Sequence, residues 1–314
     1  ALKYRFVVEK DNLDNCRLIF GDADLLPGLT VDRYNDVLVT QVTSFAIEQR
    51  KDFIYQLLLD ILNKNNQTVK YIYERNDVQV RTKEGLELYK GFYGKETCST
   101  DLVISENHLL LNVDIQNGQK TGYFLDQKSN RMLIRNMAKG LRVLDCFTHT
   151  GGFALNAAKG EAKSVTAVDV SGTALEEARK NAEINHFTNM TFVQADVFDY
   201  LEEMKEGEFD LIILDPPAFT KSRKTVKQAY YGYKRINLEA MKKLENGGFL
   251  ATCSCSRYME TSLFEQMLKE AALEANVLLK QVSVTQQNHD HPILWSMEET
   301  SYLKFFIFQI VKEK

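Results

Sequence analysis

Short apolar runs alternate with amphipathic helical patterns through the second half of the chain. The apolar runs predict strands at 142–147, 164–170, 191–195, 209–215 and 247–255. Between them, apolar residues with helical spacing predict helices at 153–159, 173–185, 198–204, 237–244 and 263–275. Strands and helices that alternate in this way form crossover units, so the pattern predicts an α/β fold with a doubly wound parallel sheet.

The two ends of the chain follow different patterns. Residues 278–285 and 301–311 predict two antiparallel strands that pair at the edge of the sheet. Near the N-terminus, one helix around 47–62 accompanies strand candidates at 37–42, 69–74, 78–81, 86–89 and 109–114. This mixture predicts a small α+β domain. We therefore predict two domains, 1–117 and 118–314, with the junction in 118–130.

The composition is that of an ordinary globular protein. With 314 residues, 44% of them hydrophobic, the chain can fill two cores. A formal net charge of -4 excludes a wholly basic nucleic-acid binder, but not a local basic surface. There is no apolar run of about 18 residues, so we expect no membrane association. The chain begins with Ala1 rather than Met, from which we expect that an N-terminal piece is missing.

The cysteines indicate a reducing compartment. They are odd in number, scattered, and not preceded by a secretory signal: Cys16, Cys98, Cys146, Cys253 and Cys255. We therefore expect thiols and a cytoplasmic location. Because no CxxC pair occurs and the chain has only 5 histidines, we expect no metal site.

An acidic residue and two glycines follow the first strand of the predicted sheet. In VLDCFTHTGGF (143–153), Asp145 lies near the strand end, and Gly151 and Gly152 lie in the turn that opens the next helix. In open α/β sheets, ligands bind beyond the carboxyl ends of the strands, and glycine lets the backbone approach a ligand closely. The turn therefore predicts a ligand site. The absence of GxGxxG argues against a nicotinamide-dependent dehydrogenase.

The next two strands also end in acids. Asp169 lies 24 residues after Asp145, close to the spacing of an acid that binds ribose hydroxyls. Asp196, in an Ala-Asp-Val segment, could accept a hydrogen bond from an adenine amino group. Each acid alone is typical of a solvated loop. Three in order at consecutive strand ends predict a nucleoside-binding edge.

The fourth strand ends in Asp215-Pro216-Pro217-Ala218-Phe219. The two prolines stiffen the turn and remove two backbone N–H donors. The remaining carbonyls and the carboxylate suit a planar ring that bears an amino group, with Phe219 available for stacking.

Two cysteines end the fifth strand, in the segment TCSCS (252–256). Alternation along a strand places Cys253 and Cys255 on the same face. Buried structural cysteine is the usual role of such residues. A thiol at the carboxyl end of a strand, next to a helix N-terminus, is also a candidate nucleophile.

The ordered set VLDCFTHTGGF, VDVS, ADV, LDPPAF and TCSCS resembles a class I S-adenosylmethionine-dependent methyltransferase. More narrowly, GQKTGYFLDQKSNR (118–131) and DPPAFTKSRK (215–224) are similar to the bacterial large-subunit ribosomal RNA 5-methylcytosine methyltransferase family. Members of that family carry a PUA domain, a central small α+β domain and a C-terminal Rossmann-like methyltransferase domain. LPGLTVDRY (26–34) and YERNDVQVRTKEGL (73–86) resemble the central domain. The resemblance implies a Rossmann-like sheet with an antiparallel last strand, and a chain without the PUA domain.

The resemblance also implies roles for individual residues, with S-adenosylmethionine as cofactor and large-subunit ribosomal RNA as partner. The implied cofactor-binding residues are Tyr123, Phe124, Asp126, Gln127, Asp145, Phe147, Thr148, Thr150, Gly151, Asp169, Val170, Ser171, Asp196, Val197, Asp215 and Pro216. Asp145 and its turn would bind the methionine end, Asp169 the ribose and Asp196 the adenine. The implied substrate-binding residues are Pro217, Phe219, Lys221, Arg223 and Lys224.

The thiols would supply the chemistry that cytosine methylation needs. Carbon-5 of cytosine is a poor nucleophile, and thiolate attack at carbon-6 makes it reactive. Asp215 could hold the ring at N3 and N4. The string Thr-Cys-Ser favours Cys253, whereas the distance to the next helix, starting near 260–261, favours Cys255. We favour Cys255 and keep Cys253 as the alternative; Cys146, in the cofactor turn, is interpreted as a packing residue.

Basic residues concentrate in two segments despite the negative total. Residues 120–142 hold six basic residues and one acid, and residues 221–243 hold eight and one. Such segments can contact phosphates. Tyr230, Tyr231 and Tyr233 interleave with the second segment and could stack on unpaired bases, or they could belong to the core.

Two other functions fit the same residues. The enzyme could methylate a base nitrogen of adenine or guanine, for which the DPPAF turn suffices and no thiol is needed. The chain could also be a cofactor-binding RNA-binding module without turnover, although the intact acidic series argues against this. An exposed sheet edge in the first domain could pair two subunits, so we keep a homodimer open.

Overall fold

Backbone contacts divide the chain into two units, each described here by itself. The structure is a computed structural model that describes residues 1–220 and 222–312. The first unit comprises Ala1–Lys128 and Asn288–Thr300; the second comprises Ser129–Gln287 and the described residues from Ser301 onward. Lys221, a predicted substrate contact, lies outside the described residues.

The first unit contains a five-stranded sheet, a two-stranded ribbon and short helices. Its strands are β1 (Asn15–Phe20), β2 (Leu29–Tyr34), β3 (Val37–Val42), β4 (Tyr71–Asn76), β5 (Tyr89–Phe92), β6 (Asp101–Glu106) and β7 (Leu109–Asp114). Its helices are α1 (Leu2–Val8), α2 (Phe45–Glu48) and α3 (Lys51–Lys64). The sheet order is β1-β2-β3-β4-β5, with β3 and β4 parallel and the other neighbours antiparallel, and β6 pairs with β7. Leu58 and Leu62 of α3 pack on the apolar side chains of this sheet.

Several predicted elements of this part differ from the structure. The strand predicted at 78–81 is wrong, since Gln79–Glu84 forms a 3-10 helix. The cause is Arg81, which is buried and donates to the carbonyl of Glu87 and to the carboxylate of Glu48, so the backbone coils around its guanidinium. The strand predicted at 86–89 begins only at Tyr89.

Two strands that the apolar pattern did not indicate, β1 and β2, carry a buried ion pair. Arg17 Nε donates to Asp32 Oδ1 at 2.7 Å, and both side chains are almost fully buried. Charged residues at these positions interrupt the alternation of apolar and polar residues on which strand prediction depends. The single helix predicted at 47–62 is divided into α2 and α3.

The predicted domain boundary at 117/118 lies inside the first unit. The hydroxyl of Tyr34 donates to the carbonyl of Tyr123 at 3.4 Å and accepts from its N–H at 3.2 Å. Lys128 Nζ bonds Glu9 Oε2 at 3.2 Å, with both side chains buried. These contacts attach the segment through Lys128 to the first sheet.

A second segment, Asn288–Thr300, also returns to the first unit. The N–H of Asn288 donates to the carbonyl of Asp126 at 2.8 Å, and the N–H of Arg17 donates to Asp290 Oδ2 at 2.8 Å. The buried Asp290 carboxylate also bonds Nδ1 of His291 at 2.8 Å. Neighbouring positive charge holds the pKa of Asp290 well below its usual range.

The second unit is a three-layer α/β structure. Its strands are β8 (Arg142–Cys146), β9 (Ser164–Asp169), β10 (Met190–Gln194), β11 (Leu211–Leu214), β12 (Phe249–Ser254), β13 (Leu278–Thr285) and β14 (Lys304–Val311). Its helices are α4 (Lys128–Met137), α5 (Gly152–Lys159), α6 (Gly172–Ile184), α7 (Val197–Glu203), α8 (Val226–Lys243) and α9 (Thr261–Glu274).

The sheet of the second unit confirms the predicted α/β architecture. Its order is β10-β9-β8-β11-β12-β14-β13, in which β8 to β12 are parallel and β14 runs antiparallel to both of its neighbours. The predicted pairing of the last two strands is therefore confirmed. The strand order reverses between β8 and β11, which is where ligands bind in doubly wound sheets.

The central strand β11 shows why the strands of this sheet appear in the sequence as continuous apolar runs. Leu211 and Ile213 face one apolar cluster, Ile212 and Leu214 face the other, and all four are 0% exposed. A strand covered on both faces needs no polar alternation. Its ends are consequently held in fixed positions.

Helix α8 is longer than the helix predicted at 237–244. It begins at Val226, and its first half contains Gly232 and several tyrosines, which lower helix propensity. At Gly232 a Cβ atom would lie 3.2 Å from the ring of Phe219, so the glycine allows the helix to pack closely on this ring. In the part of the chain that the structure describes, no helix is long and apolar enough to cross a membrane.

Candidate active site

Asp145 lies near the carboxyl end of β8, at the point where the strand order reverses. Its Oδ2 accepts hydrogen bonds from the hydroxyl of Thr148 at 2.6 Å and from the N–H of Ala154 at 2.9 Å. Its Oδ1 is buried and has no hydrogen-bond partner among the described residues. Burial raises the pKa of Asp145 to about 7, the nearby charge of Asp215 adds to this, and the bond from Thr148 opposes it.

The turn between β8 and α5 is held in an unusual backbone conformation. Gly151, the residue before the first turn of α5, has φ of +87°, and Phe147 and His149 also have positive φ. A Cβ atom on Gly151 would lie 3.2 Å from the Cβ of Ala178. Only glycine adopts this conformation without strain, and the turn is closed by its own hydrogen bonds, since the N–H of Gly151 donates to the carbonyl of Thr148 and the N–H of Thr148 donates to the carbonyl of Val168.

The carboxylate of Asp169, at the end of β9, accepts hydrogen bonds from the turn after β8 and from the residues that follow β9. Its Oδ2 accepts from the N–H of His149 at 2.9 Å, and its Oδ1 accepts from the N–H of Ser171 at 2.9 Å. The side chain of Ser171 caps α6 by accepting from the N–H of Ala174 at 3.3 Å. Burial lowers the pKa of His149, which keeps that imidazole neutral beside the turn.

Asp196 caps α7, since its Oδ1 accepts from the N–H of Phe198 at 2.8 Å. The side chain is exposed, whereas Val197 is buried in the core and Val170 is exposed. Sequence reasoning placed all three beside the cofactor. The structure brings Asp169 and Asp196 to the same edge as Asp145, because the carbonyl of Asp169 accepts from the N–H of Ala195.

Asp215 and Cys253 lie side by side at the ends of adjacent strands. Leu214 of β11 pairs with Thr252 of β12, so the next residues of both strands are also in register. The thiol of Cys253 donates to Asp215 Oδ1 at 2.8 Å. Pro216, the residue that follows Asp215, is buried, and Pro217 is exposed.

The two thiols of the TCSCS segment differ in exposure. Cys253 is 0% exposed inside the apolar cluster, whereas Cys255, just beyond β12, is partly exposed at the edge of the same cluster. The next helix, α9, begins at Thr261 after Glu260, as predicted. Cys146 is fully buried, and burial raises the pKa of its thiol well above the usual range, as expected of a packing residue.

The ring of Phe219 packs among other aromatic side chains. Its ring lies 4.6 Å from that of Tyr233, 6.1 Å from that of Phe198 and 6.4 Å from that of Phe147, centroid to centroid. Three aromatic neighbours surround its ring, and the side chain stays partly exposed, so the stacking role stays a prediction. Tyr233 is also buried, with its hydroxyl accepting from Ser254, and only Tyr231 of the three tyrosines is strongly exposed.

The junction residues named as cofactor contacts form a short turn within the first unit. Tyr123, Asp126 and Gln127 are almost fully buried around the 3-10 helix Leu125–Gln127. Lys120 Nζ bonds Asp126 Oδ2 at 3.0 Å and lies 4.6 Å from the ring centre of Phe124.

Most of the first basic segment is already paired. Within 120–142, ion pairs join Lys120 to Asp126, Lys128 to Glu9, Lys139 to Glu161 and Arg142 to Asp210. Four of the six basic residues therefore already face an acid, and an RNA contact by this segment stays a prediction.

The second basic segment divides into two halves. In its C-terminal half, Lys234 pairs with Glu270 and Glu274, Arg235 with Glu202, and Lys242 with Glu239. In its N-terminal half, Arg223, Lys224 and Lys227 are exposed and form no ion pair with any described residue. Among the described residues of the segment, the basic side chains of this N-terminal half, which follows the Asp215 turn, are exposed and not neutralised by an acid.

Comparison with known proteins identifies the family of this chain. A profile described as S-adenosylmethionine-dependent methyltransferase matches residues 88–308. The ribosomal RNA large subunit methyltransferase I of Aeromonas salmonicida is 43% identical over 302 residues, which cover 95% of this chain and 75% of that protein. The chain belongs to the S-adenosylmethionine-dependent methyltransferase family. It is an enzyme whose cofactor is S-adenosylmethionine.

Two further proteins resemble this methyltransferase over nearly its whole length. The ribosomal RNA large subunit methyltransferase I of Erwinia tasmaniensis is 43% identical over 306 residues, covering 96% of this chain and 76% of that protein. A solved S-adenosylmethionine-dependent methyltransferase from Streptococcus mutans has a TM-score of 0.81 at 24% identity, covering 98% of this chain and 78% of that chain. The second likeness confirms the Rossmann-like fold.

The residues at the switch point fit S-adenosylmethionine. The unpartnered, buried Oδ1 of Asp145 is an acceptor suited to an ammonium group. Gly151 allows the positive φ of the adjoining turn and its close packing on Ala178. In the described residues, no group of three or more His, Cys, Asp or Glu side chains is arranged to hold a metal ion.

Sequence reasoning missed Lys304, the first residue of β14. It is 5% exposed and lies opposite Ser254 in the pairing of β12 with β14. A signal was present: a single lysine interrupts the apolar run from Leu303 through Phe308 at its start. A charge at that place in a buried strand points to a specific partner.

Proposed function

We propose that this methyltransferase acts on large-subunit ribosomal RNA, at carbon-5 of a cytosine, through a covalent bond to Cys255. The observation that supports this most directly is the position of Cys255, a partly exposed thiol one strand away from Asp215. The substrate class is supported by the relatives named ribosomal RNA large subunit methyltransferase I. Such a substrate would place the protein in the cytoplasm.

Two residues prepare the base in this proposal. The Cys255 thiolate adds to carbon-6, and the electrons of the carbon-5–carbon-6 double bond move onto carbon-5 and the ring. Asp215 holds the ring at N3 and N4 and favours the protonated ring that accepts the thiolate. Pro217, exposed next to it, lines the base pocket.

S-adenosylmethionine, when bound, supplies an electrophilic methyl group on a sulfonium. Asp145 accepts from its ammonium group, and the turn containing Phe147, Thr148, Thr150 and Gly151 surrounds the methionine end. Asp169, with Val170 and Ser171, holds the ribose, and Asp196 with Val197 meets the adenine. Pro216 beside Asp215 completes this proposed set.

Release of the product restores the enzyme. After methylation a base removes the proton from carbon-5, the double bond reforms, and the thiolate of Cys255 leaves with the bonding pair. Arg223 and Lys224, with Lys221, contact phosphates near the target nucleotide in this proposal. Arg223 and Lys224 are exposed at the start of α8, which supports such a contact.

A nitrogen of adenine or guanine is the second candidate acceptor. It is favoured by the Asp215-Pro216-Pro217 turn, because two prolines in succession provide carbonyl acceptors without competing N–H donors. This reaction needs no thiol, so the two candidates differ in their dependence on cysteine.

The experiment that tests the proposal is covalent trapping. Ribosomal RNA containing 5-fluorocytosine is mixed with the protein and S-adenosylmethionine and analysed on a denaturing gel. Fluorine cannot leave as a proton does, so the covalent species accumulates. We expect an adduct with the wild-type chain and with Cys253→Ser, and none with Cys255→Ser.

Each other outcome contradicts a defined part of the proposal. An adduct that persists in Cys255→Ser and disappears in Cys253→Ser would assign the nucleophile to Cys253. Methyl transfer to unmodified RNA without any adduct, together with activity in both serine variants, would favour the nitrogen acceptor.

A further inference from the structure

Ser256, the last residue of the TCSCS segment, is a buried serine at which several parts of the second unit meet. It is 3% exposed and lies just beyond β12. Its N–H donates to the hydroxyl oxygen of Ser254 at 3.3 Å, and its carbonyl accepts from Lys304 Nζ at 2.6 Å. Its hydroxyl donates to the carbonyl of Thr220 at 2.9 Å. The serine therefore joins the end of β12 to β14 and to the segment that follows β11.

Thr220 begins the turn that carries the unpaired basic side chains. We call Thr220 together with residues 222–225 the basic turn. The hydroxyl of Thr220 donates to the carbonyl of Ser222 at 2.7 Å and lies 2.7 Å from the hydroxyl of Thr225. The N–H of Ser222 donates back to the Thr220 hydroxyl at 3.3 Å. Hydroxyl groups thus close the turn on the inside, while Arg223 and Lys224 are exposed on the outside.

The hydrogen bond from Ser256 to Thr220 connects the basic turn to the segment that carries Cys255. Thr220 is only 3% exposed, so water has little access to its carbonyl. A buried carbonyl that loses its donor pays the full cost of its lost hydration. The serine hydroxyl therefore favours the closed position of the turn. Because Ser256 directly follows Cys255, the path from the proposed nucleophile to the proposed phosphate contacts is short.

The backbone of Ser256 is held independently of its side chain. Its carbonyl accepts from Lys304 Nζ at 2.6 Å and from the N–H of Met259 at 3.2 Å. Lys304 and Met259 are both buried. A hydrogen bond from an ammonium group is stronger than one between neutral groups. Removal of the serine hydroxyl should therefore free the basic turn and leave the backbone beside Cys255 in place.

We propose that Ser256 is a positioning residue that keeps the basic turn ordered beside the segment of Cys255 before RNA binds. The cations of an ordered turn meet phosphates without first losing conformational freedom, and such preorganisation raises affinity. Ser256 acts through the turn and does not touch the RNA. The proposal rests on the proposed function, in which Arg223 and Lys224 contact phosphates.

The first measurement is amide hydrogen exchange of the full chain without RNA. Wild type and Ser256→Ala are compared by mass spectrometry, with peptides that cover residues 217–226 and 249–255. Thr285→Ala is the matched control, because it removes another hydroxyl hydrogen bond of the same sheet, from Thr285 to Asn130 Oδ1 at 2.7 Å. The control bond has no part in the basic turn.

Ser256→Ala should make exchange in residues 217–226 about tenfold faster, since the turn opens more often when one buried hydrogen bond is lost. The protected amides include those of Ser222 and Thr225, whose N–H groups donate within the turn. Residues 249–255 should exchange as in wild type. Thr285→Ala should leave exchange in residues 217–226 unchanged.

The second measurement is methyl transfer to ribosomal RNA at several RNA concentrations. Ser256→Ala should raise KM for RNA about three- to tenfold, the size of one hydrogen bond. Its kcat should stay within about twofold of wild type, because the turn is ordered once RNA is bound. Ser256→Thr keeps the hydroxyl and should restore KM. Thr225→Val, which removes a hydroxyl inside the turn, should raise KM as Ser256→Ala does.

A double-mutant cycle separates positioning from a merely structural role. Ser256→Ala is combined with the pair Arg223→Gln and Lys224→Gln. If Ser256 acts through these cations, its replacement should change KM for RNA by less than about twofold once they are neutralised. Equal fold-changes in the two backgrounds would overturn the proposal.

Exchange measurements alone can also overturn it. Unchanged exchange of residues 217–226 in Ser256→Ala would show that the hydroxyl does not hold the turn, and faster exchange with an unchanged KM would show that RNA binding does not depend on it. If Ser256→Ala does not fold, as judged by thermal unfolding, Thr225→Val is held to the same two expectations. The trapping experiment is independent of these results. A normal adduct with unchanged exchange contradicts only the role of Ser256, whereas faster exchange without any adduct contradicts only the proposed function.

Discussion

The thiol of Cys253 donates to Asp215 Oδ1 at 2.8 Å across the boundary between β11 and β12. This contact fixes one oxygen of the carboxylate proposed to hold the base. Cys253 is fully buried, while Cys255, two residues further on, is partly exposed. The two cysteines, one in β12 and one just beyond it, therefore have different environments.

The first prediction concerns the replacement of Cys253. Cys253→Ser retains a donor toward Asp215 and should keep the methyl-transfer rate within a few-fold of wild type. Cys253→Ala removes that donor and a buried sulfur, so kcat should fall about tenfold and stability by about 1 kcal/mol. Steady-state kinetics and denaturant unfolding measure both effects. A Cys253→Ala variant with full activity would show that Asp215 does not depend on this bond.

The second prediction follows from the raised pKa of Asp145. Its carboxyl binds a proton up to about pH 7 in the folded chain, but only up to about pH 4 when unfolded. The folded state therefore holds more protons between these values, and this residue makes stability decrease as the pH rises through that window. Asp145→Asn should remove this decrease and stabilise the ligand-free protein at pH 7.5 by about 1–3 kcal/mol.

Cofactor binding should show the opposite dependence on pH. An ammonium group prefers the ionised carboxylate, so the affinity for S-adenosylmethionine should rise between pH 5.5 and 7.5 in wild type. In Asp145→Asn the affinity should be at least tenfold lower and nearly constant over that range. Isothermal titration calorimetry at several pH values checks this. Equal pH dependence in both chains would remove Asp145 from the binding site.

The third prediction separates strain from contact at Gly151. Gly151→Ala places a Cβ 3.2 Å from Ala178 at a φ of +87°, whereas Gly247→Ala has nearly the same φ, +91°, and no neighbour within 4 Å. Both should lose about 1 kcal/mol of stability through backbone strain. Only Gly151→Ala should also weaken S-adenosylmethionine binding, because in the proposed function its turn surrounds the methionine end. Thermal unfolding and calorimetry on both variants distinguish the two effects.

The fourth prediction uses the two halves of α8. Neutralising the unpaired set, Arg223→Gln, Lys224→Gln and Lys227→Gln, should weaken RNA binding and reduce the slope of log K against log salt by about 2. The matched control neutralises the paired set, Lys234→Gln, Arg235→Gln and Lys242→Gln. It should change the slope much less, because those charges already face acids. Equal changes in both triple variants would contradict an RNA contact at the start of α8.

The order of acids along the chain was enough to predict which strand ends form the candidate site. Asp145, Asp169 and Asp215 follow strands that read as apolar runs, and parallel strands bring their carboxyl ends to one edge. Strand β11 is buried on both faces, as its continuous apolar run predicts. What the pattern could not supply was the partner of each group. The ion pairs of Lys234 and Arg235 join residues more than thirty positions apart in the sequence.

By itself, the sequence determined the α/β architecture of the second unit and the acidic edge, because hydrophobic periodicity and strand-end position are local properties of the chain. The tertiary structure alone decided the environments of Cys253 and Cys255, the packing of Phe219 and the burial of Lys304. Each of these depends on residues from other strands and helices. Burial and charge pairing are properties of a neighbourhood, and distant segments form that neighbourhood only when the chain folds.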